Sequence, residues 1–192
     1  MEFDVCRVKT DGFIAKEKNK LLKSFVRSSK DAVFLVEDNC QIVNDGIYQK
    51  FIDCHQKTGI HALMWGKGTP NKRLEFDEDR NLEYWADFSP VFTFYTKEAI
   101  KKAGFFDEEM PPNTYQEMEH AKRIGDAELS TPFGMFASPQ GIENMLSIES
   151  PRKINHAEAE KALIYWEEKD GNSVTLSMRD DLVKMQSITE MI

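Results

Sequence analysis

Residues 32–36 are Ala-Val-Phe-Leu-Val, five apolar residues in a row, and Glu37, Asp38 and Asn39 follow them at once. A strand with one wet face alternates apolar and polar residues. An unbroken apolar run predicts burial on both faces, as in a parallel sheet. Two carboxylates and an amide at the end of such a strand admit two readings. They are a surface turn, since Asp and Asn favour turns. Or they are a site for a hard divalent cation, placed where ligands meet the carboxyl ends of strands. Spacing alone does not separate the two.

The flanking sequence repeats a strand-helix order. Residues 5–8 read as a short strand and 10–12 (Thr-Asp-Gly) as a turn. Ile14, Leu21, Leu22 and Phe25 then share a helical face, with the intervening Lys and Glu residues as its wet face. A helix near 46–57 turns Ile47, Phe51 and Ile52 inward, and 60–66 is a third strand. This order predicts right-handed crossovers and an α/β layered domain. Further on, 66–73 is a basic loop and 74–85 edge strands or a hairpin. Residues 89–95 form an aromatic-rich strand. Thr96 is an N-cap for a helix through Ala103, ended by Gly104. Helix-start chemistry marks 111–124, with a capping-box form at Thr114-x-x-Glu117 and an i,i+4 pair of Glu119 and Arg123 on the helix surface. A short strand is expected within 131–139 and a helix at 157–168. After it come a turn, a strand at 174–178 and a terminal helix at 180–191.

At 192 residues the chain suits one domain with a sizeable core. A net charge of −8 argues against a general nucleic-acid binder, which would carry a basic face. Cys6, Cys40 and Cys54 form no CxxC pair, so neither a zinc ribbon nor a disulfide framework is indicated, and a reducing cytoplasm is the expected home. No stretch approaches the roughly 20 apolar residues that span a bilayer, and the start lacks the pattern of a signal peptide. The four histidines, 55, 61, 120 and 156, show no ligand spacing. His156 stands out because it follows the elements expected to line a cleft. Trp65, Trp85 and Trp166 read as core aromatics, and Trp85 with Tyr84, beside the basic loop, could also stack on a sugar or base.

Taken in order, these stretches resemble the GT-A glycosyltransferases, in particular the inverting "family 2" sugar transferases. "DGFIAKEKNKLL" is similar to the family's G-x-A-x-x-N helix, with Gly12, Lys18 and Asn19 at the matching places. "FLVEDNCQI" is similar to its strand ending in D-x-D. "FYTKEAIKKAGFFDEEM" is similar to its T-R-e-a-i-e-k-a-G-g-F-D-E segment, and "QEMEHAKR" to its acidic-base helix. The resemblance covers roughly residues 4–125. It implies a single-domain GT-A-like fold, a mixed and mainly parallel sheet flanked by helices. Residues 1–154 would form the transferase core and 155–192 a helical extension packed on it. It also implies a UDP- or GDP-sugar donor, a carbohydrate-bearing acceptor, and Mn2+ or Mg2+. Glu37, Asp38 and Asn39 would bind donor and metal; His156, beyond the resembling stretch, is a further candidate metal ligand because it follows the elements expected to line the cleft. Gly12, Lys18 and Asn19 would lie at the nucleotide, and Glu117 would be the catalytic base. Asp107, Trp85, Glu119 and Arg123 would serve the acceptor or support the site, Arg123 by holding the acidic helix in place. Peripheral contact with a membrane is compatible with such an enzyme. The sequence departs from the pattern twice: Asn39 stands where the family has a third acidic position, and no P-x-x-N strand stands before residue 4. A second reading is therefore an inactive GT-A-like binding module. A third is a nucleotidyltransferase or pyrophosphorylase, against which the absence of a Gly-rich N-terminal phosphate loop counts.

Overall fold

The computed structural model describes residues 14–66, 73–86, 88–111, 114–132, 135–148 and 156–170. The expected strands at 5–8 and 174–178, the terminal helix at 180–191, the basic loop beyond Gly66, and Gly12 lie outside them. Within them the chain is a mixed α/β protein of five helices and eight strands. None of these helices is long and apolar enough to cross a membrane. Two compact units are formed. One comprises Met1–Asn19, Phe106–Glu119 and Arg152–Ile192, the other Lys20–Phe105 and His120–Pro151.

The second unit holds all eight strands. The apolar run is strand β1 (Ala32–Val36), joined through a turn to β2 (Cys40–Ile42) and then to helix α2 (Gly46–Thr58). β3 (Ala62–Trp65) follows, then the hairpin of β4 (Arg73–Asp77) and β5 (Leu82–Trp85). β6 (Ser89–Thr96) runs directly into helix α3 (Lys97–Ala103). β7 (Phe136–Pro139) and β8 (Leu146–Ile148) complete three small sheets, ordered β1-β6-β3, β2-β8 and β4-β5-β7.

Every strand pairing in these sheets is antiparallel, which corrects the expected mainly parallel sheet. β1 and β3 do run in the same direction, but β6 lies between them and opposes both. The strand buried on both faces is therefore β6, buried from Val91 to Thr96. Alternation sends Phe92 and Phe94 to one face of it, where they meet Phe34 of β1 and Phe51 of α2 with ring centroids 5.1–6.4 Å apart. Each fully buried Phe contributes about 1.5–3 kcal/mol of transfer free energy. Tyr95 turns the other way, its ring 5.3 Å from His120. β1 pairs with β6 alone among the described residues, and only its Leu35 is fully buried.

Local signals fare well. Thr96 caps α3, its hydroxyl accepting from the Ala99 N–H at 3.2 Å. Gly104 stops that helix with φ +82°, a conformation L side chains disfavour, and its N–H reaches Ile100 O. Helix α4 (Gln116–Asp126) then presents His120 and Arg123 to the carbonyls α3 leaves behind. His120 Nε2 meets Gly104 O at 2.9 Å, and Arg123 donates to Phe105 O at 2.8 Å and to Ala103 O. A guanidinium at a helix C-terminus also suits the helix dipole.

His61 directly precedes β3, and its carbonyl accepts the Thr96 N–H at 3.0 Å. Its Nδ1 is 2.8 Å from Thr96 Oγ1, and its ring is 4.9 Å from that of His55. Burial, then the His55 charge, hold its pKa below the ordinary 6.5, against the pull of Glu98. A base with a lowered folded pKa resists protonation only while folded. Stability from neutral His61 is thus complete above about pH 6.5 and is lost as pH falls toward the folded value. Thermal melts between about pH 8 and about pH 5 should show this acid loss, and a His61→Gln variant should lose less over the same interval. An equal loss in the variant contradicts it.

Candidate functional site

Glu37 continues the β1 ladder by one residue, its N–H donating to Val91 O at 2.9 Å. The Cys40 N–H then closes on Glu37 O at 3.1 Å. Glu37, Asp38 and Asn39 therefore form a tight turn between β1 and β2, with Asp38 exposed and its two neighbours half-buried. The turn reading holds, and it leaves Asp38 open to solvent. Burial, then the Glu37 charge, push the Cys40 thiol up to about 11, so it is no nucleophile at neutral pH. Carboxylate oxygens suit a hard ion that keeps water or substrate oxygens in its other positions. Glu37 and Asp38 carry oxygen donors of the kind such an ion takes. Among the described residues no three of His, Cys, Asp and Glu gather to hold an ion. His156 opens helix α5 (His156–Asp170), and its side chain lies outside what is described.

The first unit assembles the other candidates. Helix α1 (Ile14–Arg27) brings Lys18 Nζ to Glu117 Oε1 at 2.7 Å, the two side chains 10% and 4% exposed. The next residue, Asn19, is 2% exposed and works as a clamp. Its Nδ2 donates to Phe106 O and to Glu108 Oε1, each at 2.8 Å, and its Oδ1 accepts from the Phe106 N–H at 2.8 Å. Lys18 Nζ also lies 5.5 Å from the Phe106 ring centroid. Glu17, Lys18 and Asn19 are buried, so this turn of α1 is not the wet face its composition suggested. The residues expected beside a nucleotide spend these bonds on the protein.

Thr114 donates to Pro111 O at 2.6 Å, and Glu117 reaches Lys18, so the capping box is replaced by these contacts. Glu119 is 5% exposed rather than on a helix surface. Arg123, expected to hold the acidic helix in place, donates to carbonyls at the end of α3.

Asp107 is the centre of a cluster the sequence did not announce. Its Oδ2 accepts from Tyr165 Oη at 2.8 Å and from Lys169 Nζ at 2.5 Å, and its Oδ1 from the Glu109 N–H at 3.0 Å. Burial raises the Asp107 carboxyl, but bonds from Lys169, Glu109 and Tyr165 outweigh it and hold its pKa below the usual range. Burial, then Asp107 itself, push Tyr165 up to about 12. The spacing of Tyr165 and Lys169, i and i+4 on one helix, is the signal that could have paired them. Trp85 in the second unit is half-buried against Gly66, where a Cβ would overlap its indole. No family model, no curated protein and no solved structure matches this chain.

Proposed function

We propose that this chain transfers a sugar from a nucleotide-sugar donor to a hydroxyl acceptor on a GT-A-like fold, with divalent-metal help and inversion at the anomeric carbon. One observation carries the reading. Three stretches that resemble the family separately are bonded to one another in the first unit: Lys18 to Glu117, and Asn19 to Phe106 and Glu108. Glu117 is the base, and a base must stand within hydrogen-bond reach of the hydroxyl it deprotonates. Lys18 fixes that carboxylate at the start of α4, and Asn19 fixes the segment that carries Asp107. Asp38, at the open tip of its turn, and Glu37 would hold a divalent ion, which would supply positive charge to offset that of a diphosphate. A second reading, an inactive binding module of the same fold, is favoured by the depth of Glu117, 3% exposed and already paired.

Thermal melts with UDP and GDP, with and without Mn2+, test the donor site. A nucleotide at 100 times its Kd stabilises by about 2.7 kcal/mol, which raises Tm by roughly 5–10 °C for a chain of this size. Asp38→Ala should remove the Mn2+-dependent part. No stabilisation by either nucleotide sinks the donor reading.

A further inference from the structure

The end of α2 and the start of β3 bring together two histidines that the transfer reading leaves unused. His55 stands in the last turn of α2, and Gly59, at φ +72°, stops the helix with its N–H on His55 O. The chain turns back at once, so His61 lies beside His55, the ring centroids 4.9 Å apart and the planes at 67°. Main-chain bonds hold His61 on both sides. Its N–H donates to Leu129 O at 2.8 Å, and its carbonyl accepts the Thr96 N–H at 3.0 Å. His55 Nδ1 meets Ile60 O at 2.9 Å. A carbonyl only accepts, so that nitrogen carries the proton and Nε2 keeps its lone pair. His61 Nδ1 meets Thr96 Oγ1 at 2.8 Å, and a Glu98 carboxylate oxygen 4.0 Å away favours a proton on that nitrogen too. Neither Nε2 meets a partner among the described residues, and neither is sealed from water.

We propose that His55 and His61 form a site for one divalent transition-metal ion of the Zn2+ class, bound through their Nε2 atoms with water in its other positions. Imidazole nitrogen suits Zn2+, Cu2+ and Ni2+, whereas Mg2+ and Mn2+ take oxygen. The spacing fits. With metal–nitrogen bonds of about 2.0–2.1 Å and a ring centre about 1.15 Å beyond the nitrogen, two imidazoles on one ion stand about 4.5 Å apart at a right angle and about 5.2 Å at the tetrahedral angle. The 4.9 Å between these rings falls in that interval. Ligating histidines regularly donate their other N–H to a carbonyl or similar acceptor, which fixes tautomer and ring orientation. Ile60 O does this for His55, and Thr96 Oγ1 for His61. The last turn of a helix is also the negative end of its dipole, which favours a cation beside His55. Lys102, whose charge would oppose the ion, is drawn to Glu98 at 3.1 Å. A bound ion fastens the end of α2 to the head of β3. Its nitrogen ligands set it apart from the oxygen-bound ion of the transfer reading.

The histidine ring nitrogens of the whole chain, labelled with 15N and freed of metal by a chelator, report on the site directly. Zn2+ is titrated at about pH 7.5, where imidazoles are neutral, with Mg2+ in a parallel titration. The ring signals are assigned through bonds from the backbone. The Nε2 signals of His55 and His61 should move together and level off at one equivalent of Zn2+, and Mg2+ should leave them in place. His55→Gln and His61→Gln should each weaken Zn2+ binding at least about tenfold, read from the ring that remains, because a single imidazole is left. The wild-type signals decide the matter even where a variant fails to fold. Overturning results are no saturable shift of these two signals, an equal response to Mg2+, or undiminished binding in either variant. Zn2+ held elsewhere in the chain leaves both Nε2 signals in place and overturns the proposal too. No nucleotide is present, so failure here leaves stabilisation by UDP or GDP untouched, and failure there leaves this site untouched.

Discussion

Replacing Lys18 by Met lowers the unfolding free energy by about 3–5 kcal/mol, because Glu117 then keeps a buried charge with its described counter-ion removed. For a chain of this length that is a fall in Tm of roughly 6–20 °C. The size of the effect comes from desolvation rather than from the attraction lost. An exposed ion pair is worth about 0–1 kcal/mol. The Lys18–Glu117 side chains are 10% and 4% exposed, so the surviving carboxylate has little water to turn to. A double variant, Lys18→Met with Glu117→Leu, should recover most of the loss, since well-packed apolar residues replace buried pairs at little cost. Denaturant melts of the wild type, both single variants and the double variant complete the cycle. A loss below about 1 kcal/mol in Lys18→Met contradicts the buried pair.

Features set by neighbouring residues were legible in the sequence. Thr96 and Gly104 delimit α3 through a hydroxyl and a positive φ, both local chemistry. Residues 74–85 read as edge strands or a hairpin, and the hairpin of β4 and β5 is what forms. What the sequence hid was long-range. Ala32–Val36 announced a strand, but apolar residues do not encode the direction of the neighbour they pair with, and β6 proved antiparallel. The three-residue strands β2 and β8 are too short to carry a period. Their pairing, Cys40 with Ile148, spans most of the chain. Lys18 read as wet-face lysine because its partner lies 99 residues away. The same distance kept Glu117 in a capping box on paper. Asp107 was marked by resemblance alone, while the Tyr165 and Lys169 that saturate it belong to a helix outside the resembling stretch.

Glu117→Gln should lower sugar transfer by about 10²–10⁴-fold, the usual worth of a positioned general base. The amide keeps an acceptor oxygen for Lys18 Nζ but not the counter-charge, so a melt of the variant is the control that separates lost chemistry from lost structure. Breakdown of the donor without an acceptor depends on leaving-group departure as well as on a base. Hydrolysis should therefore survive Glu117→Gln better than transfer does. Equal transfer by variant and wild type removes Glu117 from the chemistry.

On the proposed reading, this chain breaks the bond between a sugar and a nucleoside diphosphate. Mass spectrometry of the wild-type chain with a panel of UDP- and GDP-sugars and Mn2+ measures this with no acceptor needed. Slow release of free sugar and UDP or GDP from at least one donor is expected, lost in Asp38→Ala. No donor consumed beyond the protein-free control, across the whole panel, contradicts it.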